Sequence, residues 1–182
     1  PDTAMARVEL AKTLTDLGKL DEAQTLLTIA LAQLREQLGD DHAATAQAMK
    51  ILGALLAERG KFDDARPLLD RSVTIFQKFA GEQHVATASA LNARGRMHLL
   101  AENYQPAYAD LSASLAICEK ALGKEHPTNA KVLDNLAQLY ERGANFGLAR
   151  QLRLKCLKIA EQSYGETNVL TADALEQTAR LY

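Results

Sequence analysis

Residues 42 apart in this chain are alike from one end to the other. Glycine recurs at Gly39, Gly81, Gly123 and Gly165. Three residues on come His42, His84, His126 and Asn168, then Thr45, Thr87, Asn129 and Thr171, each followed by alanine. Small residues stand at Ala11, Gly53, Gly95, Ala137 and Ala179. Leu20, Phe62, Tyr104 and Phe146 form another column, as do Ala23, Ala65, Ala107 and Ala149, and again Ala30, Ser72, Ser114 and Cys156. A period of this length defines a repeat array, in which one unit cannot bury its apolar face and neighbours must stack to do so.

Each period reads as two helices. Alanine and leucine, 32 and 30 residues, make up about a third of the chain, and both favour helix. Long runs of valine, isoleucine and threonine, which mark strands, are absent. The fold class expected is all-α. Pro127 suits a first helical position, where its missing N–H costs nothing, so His126 is the expected N-cap, with His42, His84 and Asn168 alike. The first helix of a pair should end near Gly18, Gly60 or Gly143, where a residue without Cβ can turn the chain. The helices fall at roughly 1–17, 20–38, 43–59, 62–80, 85–101, 104–122, 127–143, 146–164 and 169–182. Pro106 lies in a first turn, whereas Pro67 lies inside its helix and predicts a slight bend.

Gly53, Gly95 and Ala137 should let paired helices approach closely, with Ala65, Ala107 and Ala149 opposite. Leu10, Leu52, Leu56, Leu136 and Tyr140 should fill the space around that contact. Repeat three departs from this pattern: Arg94 and His98 stand where other repeats carry apolar residues. Either they make a specific polar contact, such as one to an acidic partner residue, or the helix shifts locally so that Arg94 reaches water. Arg153 is a similar exception among Leu27, Leu69 and Leu111.

The formal charge of −2, from 21 basic and 23 acidic side chains, argues against nucleic-acid binding. No apolar run approaches the ~20 residues that cross a bilayer, so no membrane partner is expected. Cys118 and Cys156 are far apart, each in an apolar helical stretch, which suits a reducing compartment and a cytoplasmic location. The periodic histidines should be too widely spaced to share a metal ion, whose ligands lie at ~2 Å. There is no phosphate-binding glycine loop, nucleophile elbow or paired-ligand metal motif. No enzyme, cofactor or metal site is expected.

The small–aromatic–alanine columns resemble the tetratricopeptide repeat, stretched to 42 residues. The segment GKEHPTNAKVLDNLAQLY in repeat four is similar to the kinesin light chain type of that repeat. The resemblance covers the whole chain and implies a right-handed superhelical solenoid of antiparallel helix pairs, about nine helices. It also implies one array over 1–182, with repeats at approximately 1–42, 43–84, 85–126 and 127–168 and a final single helix at 169–182. The frame at both ends suggests a fragment of a larger protein.

In the family, the first helices line a concave groove. Carried over, its ligand-facing positions fall on Gln47, Lys50, Ala54 and Glu58; on Ser89, Asn92, Arg96 and Leu100; on Lys131, Asp134, Gln138 and Arg142; and on Asp173, Glu176 and Arg180. Helical spacing independently puts Lys131, Asn135, Gln138 and Arg142 on one face. The candidate peptide-binding residues are therefore Lys50, Asn92, Arg96, Lys131, Asn135, Gln138 and Arg142. Asparagine can pair with a peptide backbone and arginine can fork onto a carboxylate, so the partner expected is a protein or peptide, with acidic groups. Groove charge is mixed, because Glu58, Asp134, Asp173 and Glu176 offset the cations. The function implied is a non-enzymatic protein–protein interaction scaffold. The alternative is a regulatory, sensor or oligomerisation array of a larger signalling protein, self-associating through its end helices.

Overall fold

The computed structural model describes residues 2–165 and 167–180. Among these residues the chain forms α1 (Asp2–Asp16), α2 (Leu20–Leu38), α3 (Ala43–Glu58), α4 (Phe62–Ala80), α5 (Val85–Leu100), α6 (Tyr104–Leu122), α7 (Thr128–Arg142), α8 (Phe146–Tyr164) and α9 (Val169–Ala179). Every helix in the described range lies where the periodicity places it. The expected helix residues 1, 181 and 182 lie outside that range. α4 continues through Pro67, which stands on its exposed side.

The repeat columns are the devices that start and stop these helices. His42 and His84 accept the backbone N–H of Ala44 and Ala86 through Nδ1, and Asn168 accepts that of Leu170. In repeat four His126 accepts the N–H of Thr128 at 3.2 Å, while Pro127 already has helical dihedrals. The hydroxyls of Thr45, Thr87 and Thr171 donate back to the carbonyls of Gly39, Gly81 and Gly165 at 2.7–2.8 Å. Asn129 does the same to Gly123 at 2.8 Å through Nδ2. The glycine and threonine columns therefore belong to one loop staple, six residues across.

At the other end of each first helix the chain turns through a left-handed residue. Gly18 and Gly60 have φ of +75° and +73°. The equivalents are Glu102 (φ 59°) and Ala144 (φ 55°), not Gly143, which has φ −83°. This corrects the expected turn by one residue. In each case the next N–H closes back on the helix: Lys61 on Leu56 at 2.9 Å and Asn145 on Tyr140 at 2.8 Å. That pattern satisfies carbonyls the helix leaves unpaired.

Each helix packs on the next, and first helices also touch one repeat apart, α1 on α3, α3 on α5 and α5 on α7. Second helices do not touch one another among the described residues, so the first helices form the inner wall of a curved stack. Close approach within a hairpin sets this geometry. A Cβ on Gly53 would fall 2.8 Å from Leu69 Cγ, and one on Gly95 would fall 2.8 Å from Leu111 Cγ. Ala65, Ala107 and Ala149 are fully buried. Leu52, Leu56 and Leu136 are buried as expected, but Leu10 is 51% exposed.

The structure also corrects the reading of Arg94. Its guanidinium forks onto Asp110 of α6, Nε to Oδ2 at 2.7 Å and Nη2 to Oδ1 at 2.8 Å. Nη1 donates to Asp70 of α4 at 3.0 Å. The side chain stays 24% exposed, and the specific polar contact is made within the chain, which supplies both acids. Arg153 is 3% exposed and is held by Asp134 and by Glu141 of α7, the latter at 3.1 Å from Nε. Burial lowers the pKa of His98, and its buried Nδ1 has no hydrogen-bond partner among the described residues.

Candidate functional site

The inner wall carries a connected set of polar side chains. Arg96, on α5, reaches in both directions. Its Nε donates to Glu58 on α3, and its Nη1 donates to Asn135 Oδ1 on α7 at 2.9 Å. Asn135 Nδ2 returns to Asn92 Oδ1 at 2.9 Å. Gln138 donates to Asp134 Oδ2 at 2.7 Å, and the other oxygen of Asp134 accepts from Arg153. The spacing of these residues within and between repeats places them edge to edge once the first helices stack. The network therefore spans α3, α5, α7 and α8.

Six of the seven candidates come together. Asn92, Arg96, Lys131, Asn135, Gln138 and Arg142 line one open cavity of about 920 Å³. Asn135 is 4% exposed, and its amide is spent on Arg96 and Asn92, so it holds the wall rather than projecting from it. Lys50 stands outside this cavity: its Nζ donates to Ser89 Oγ at 2.8 Å and faces the ring of Phe76. Of the other carried-over positions, Asp134 and Asp173 line the cavity, and Glu176 pairs with Arg180 at 2.6 Å.

The cavity also has walls the sequence did not reveal. Among the described residues the backbones of α7 and α9 do not approach as closely as those of earlier first helices. The gap between them is lined by Ala130, Cys156, Ala160, Tyr164, Leu170 and Ala174. This apolar floor belongs partly to α8, a second helix, and no column of first-helix positions could have pointed to it. Burial and then Asp134 push the Cys156 thiol up to about 12, and burial also raises that of Cys118. Neither is poised as a nucleophile.

The mixed charge expected of the groove resolves in the structure. Glu58 is taken by Arg96, and Asp134 and Glu141 by Arg153. Glu102 lies 3.9 Å from Arg142. Lys50 and Lys131 have no carboxylate partner among the described residues, and of the acids lining the cavity only Asp173 is likewise unpaired. No group of three or more histidine, cysteine or acidic side chains converges among the described residues. No helix in that range is long and apolar enough to cross a membrane.

Stacked helix hairpins with a polar inner wall define an α-solenoid of the kind that mediates protein–protein interaction. The chain belongs to the tetratricopeptide repeat family, whose model matches residues 2–78, 51–108 and 88–152. Solved structures agree on the fold. The nearly identical TPR-like repeats of a kinesin light chain-like protein from Podosopora anserina match at 22% identity and a TM-score of 0.76, over 100% of this chain and 86% of that one. A singly substituted variant of those repeats gives 0.77 at the same identity and coverage. BtubC (BKLC) from P. vanneervenii matches at 18% identity and a TM-score of 0.74, over 95% of this chain and 69% of that one. No curated protein matches the chain.

Proposed function

We propose that the chain is a non-catalytic scaffold that holds an acidic peptide segment of a partner protein in its concave groove. One observation carries the reading. The groove acids Glu58, Asp134 and Glu141 are neutralised by the chain's own arginines, while Lys131 has no carboxylate partner among the described residues and Arg142 is held only loosely. A partner carboxylate meets Lys131 and the loosely held Arg142 beside the cavity, and the amide N–H of Asn92 stands near them to pair with a peptide backbone. The two reduced, buried cysteines suit a cytoplasmic setting.

Lysate capture with mass spectrometry tests this, using the wild type and Lys131→Glu/Arg142→Glu. Both substituted residues are exposed, so the variant should keep its circular dichroism spectrum. The reading expects partners rich in acidic segments that are lost from the variant. Identical partner sets for both proteins would contradict it.

A second reading is self-association. Leu10 on α1, Leu17 in the turn after it, and Val169 and Leu175 on α9 are more than half exposed, at 51%, 68%, 73% and 56%. Such patches favour association. A sedimentation coefficient that rises with concentration would support this reading, and a strict monomer at all concentrations would remove it.

A further inference from the structure

We propose that the histidine caps make the groove wall sensitive to pH: acidification through the ordinary histidine range uncaps α3, α5 and α7 together and leaves α9 capped. This holds whatever the groove binds. Three repeats start their first helix with a histidine whose Nδ1 accepts a backbone N–H, from Ala44 and Ala86 at 3.1 Å and from Thr128 at 3.2 Å. At α9 the same bond is made by Asn168, to Leu170 at 2.9 Å. Three of these caps can titrate and the fourth cannot.

The chemistry follows from the ring. To accept at Nδ1, a neutral imidazole must carry its proton on Nε2. A second proton can then go only to Nδ1. It turns the acceptor into a donor aimed at another donor, the backbone N–H. The bond is lost, and a cation is left against the positive end of the helix dipole. The amide of Asn168 undergoes neither change. The unfolded chain has no such bond to lose and takes the proton more readily, near pH 6.5. Across about pH 5.5–7.5 the unfolded state therefore binds more protons, and stability falls as pH falls through that window.

Neighbouring charges do not reverse the sign. Beside His42, Asp40 is paired with Arg35 of α2 at 2.8 Å, and Asp41 is held by Arg71 and Lys78 of α4. Beside His126, Glu125 is paired with Lys158 of α8 at 2.7 Å, and Lys124 adds a cation. In the loop before His84, Glu82 has no cation partner among the described residues, but it is exposed and screened, and α6 carries Lys120 in the column of Lys78. The staples of Thr45, Thr87 and Asn129 do not titrate, so the loops stay closed and the change is confined to the helix starts. Those three helices form the inner wall and are tied together by Arg96. In a stacked array the three losses add.

Thermal unfolding followed by circular dichroism tests this on the wild type and on His42→Asn/His84→Asn/His126→Asn, which gives every cap the side chain of Asn168. At pH 8 the two should melt within a few degrees of each other. From pH 8 to 5.5 the wild type should lose roughly 5–10 °C more than the variant. Carboxylates and His98 are the same in both proteins and cancel. Melting temperatures that fall in parallel would overturn the proposal. Hydrogen exchange on the wild type alone gives a second test. After correction for intrinsic rates, protection of the Ala44, Ala86 and Thr128 amides should fall about fivefold over that range, while that of Leu170 holds. Unchanged protection at the three sites, or an equal loss at Leu170, would overturn it.

Discussion

Ala144 and Glu102 hold a left-handed backbone that side chains with a Cβ resist. Gly18 and Gly60 fill the same column without that cost. Ala144→Gly should therefore stabilise the protein by about 0.5–1 kcal/mol, and Gly60→Ala should destabilise it by about 1 kcal/mol, both read from urea unfolding. The column was legible in the sequence, but Gly143 drew the reading one residue too early. The turn is fixed by distance from the helix start, and Gly143 falls one short of it. Lys50 gives a second prediction at this scale. Its folded pKa of about 8 lies below the 10.5 of the unfolded chain, so between those values the unfolded state binds more protons. Stability must then rise with pH across that window relative to a Lys50→Met variant. The variant should be the more stable protein at pH 7, and its advantage should shrink steadily toward pH 10 in paired denaturation curves.

Helix boundaries could be read within a residue or two because the caps are local, with His42 acting on Ala44 and Thr45 on Gly39. The pairing of elements was less legible. Arg94 finds Asp110 and Asp70, and Arg153 finds Asp134 and Glu141, at separations that match no helical period. Only the packing of α4, α5 and α6, or of α7 and α8, brings them together. The Arg153 contact makes an asymmetric prediction. Its side chain is 4% exposed, whereas those of Asp134 and Glu141 are 37% and 29% exposed. Asp134→Ala/Glu141→Ala strands a buried cation and should cost about 3–5 kcal/mol. Arg153→Leu, which restores the residue type of Leu27, Leu69 and Leu111, should cost far less. Equal losses in calorimetry would contradict this account of the pair. Hairpin spacing is tested by Gly53→Ala, whose Cβ would meet Leu69 Cγ at 2.8 Å. The expected loss is about 1–2 kcal/mol, since Ala11 and Ala137 occupy the same column elsewhere.

Stacking turns these local devices into one curved wall, and the proposed function belongs to that scale. Stacking the first helices brings Asn92, Arg96, Lys131, Asn135, Gln138 and Arg142 to one cavity, which helical spacing and the family resemblance could anticipate. Which of their charges stay free depends on the partners of Glu58, Asp134 and Glu141, and only the three-dimensional structure supplies those. The gap between α7 and α9, with its floor on α8, is equally a property of the stack. The central claim is that this inner wall, not the outer surface, meets the partner. It is tested most directly by a photo-crosslinking residue placed at Asp173, which lines the cavity, or at Gln77, exposed on the second helix α4. The account predicts discrete crosslinked partners from position 173 that disappear in the Lys131→Glu/Arg142→Glu background, and none from position 77. Partners captured from position 77 alone, or equally from both positions, would contradict it.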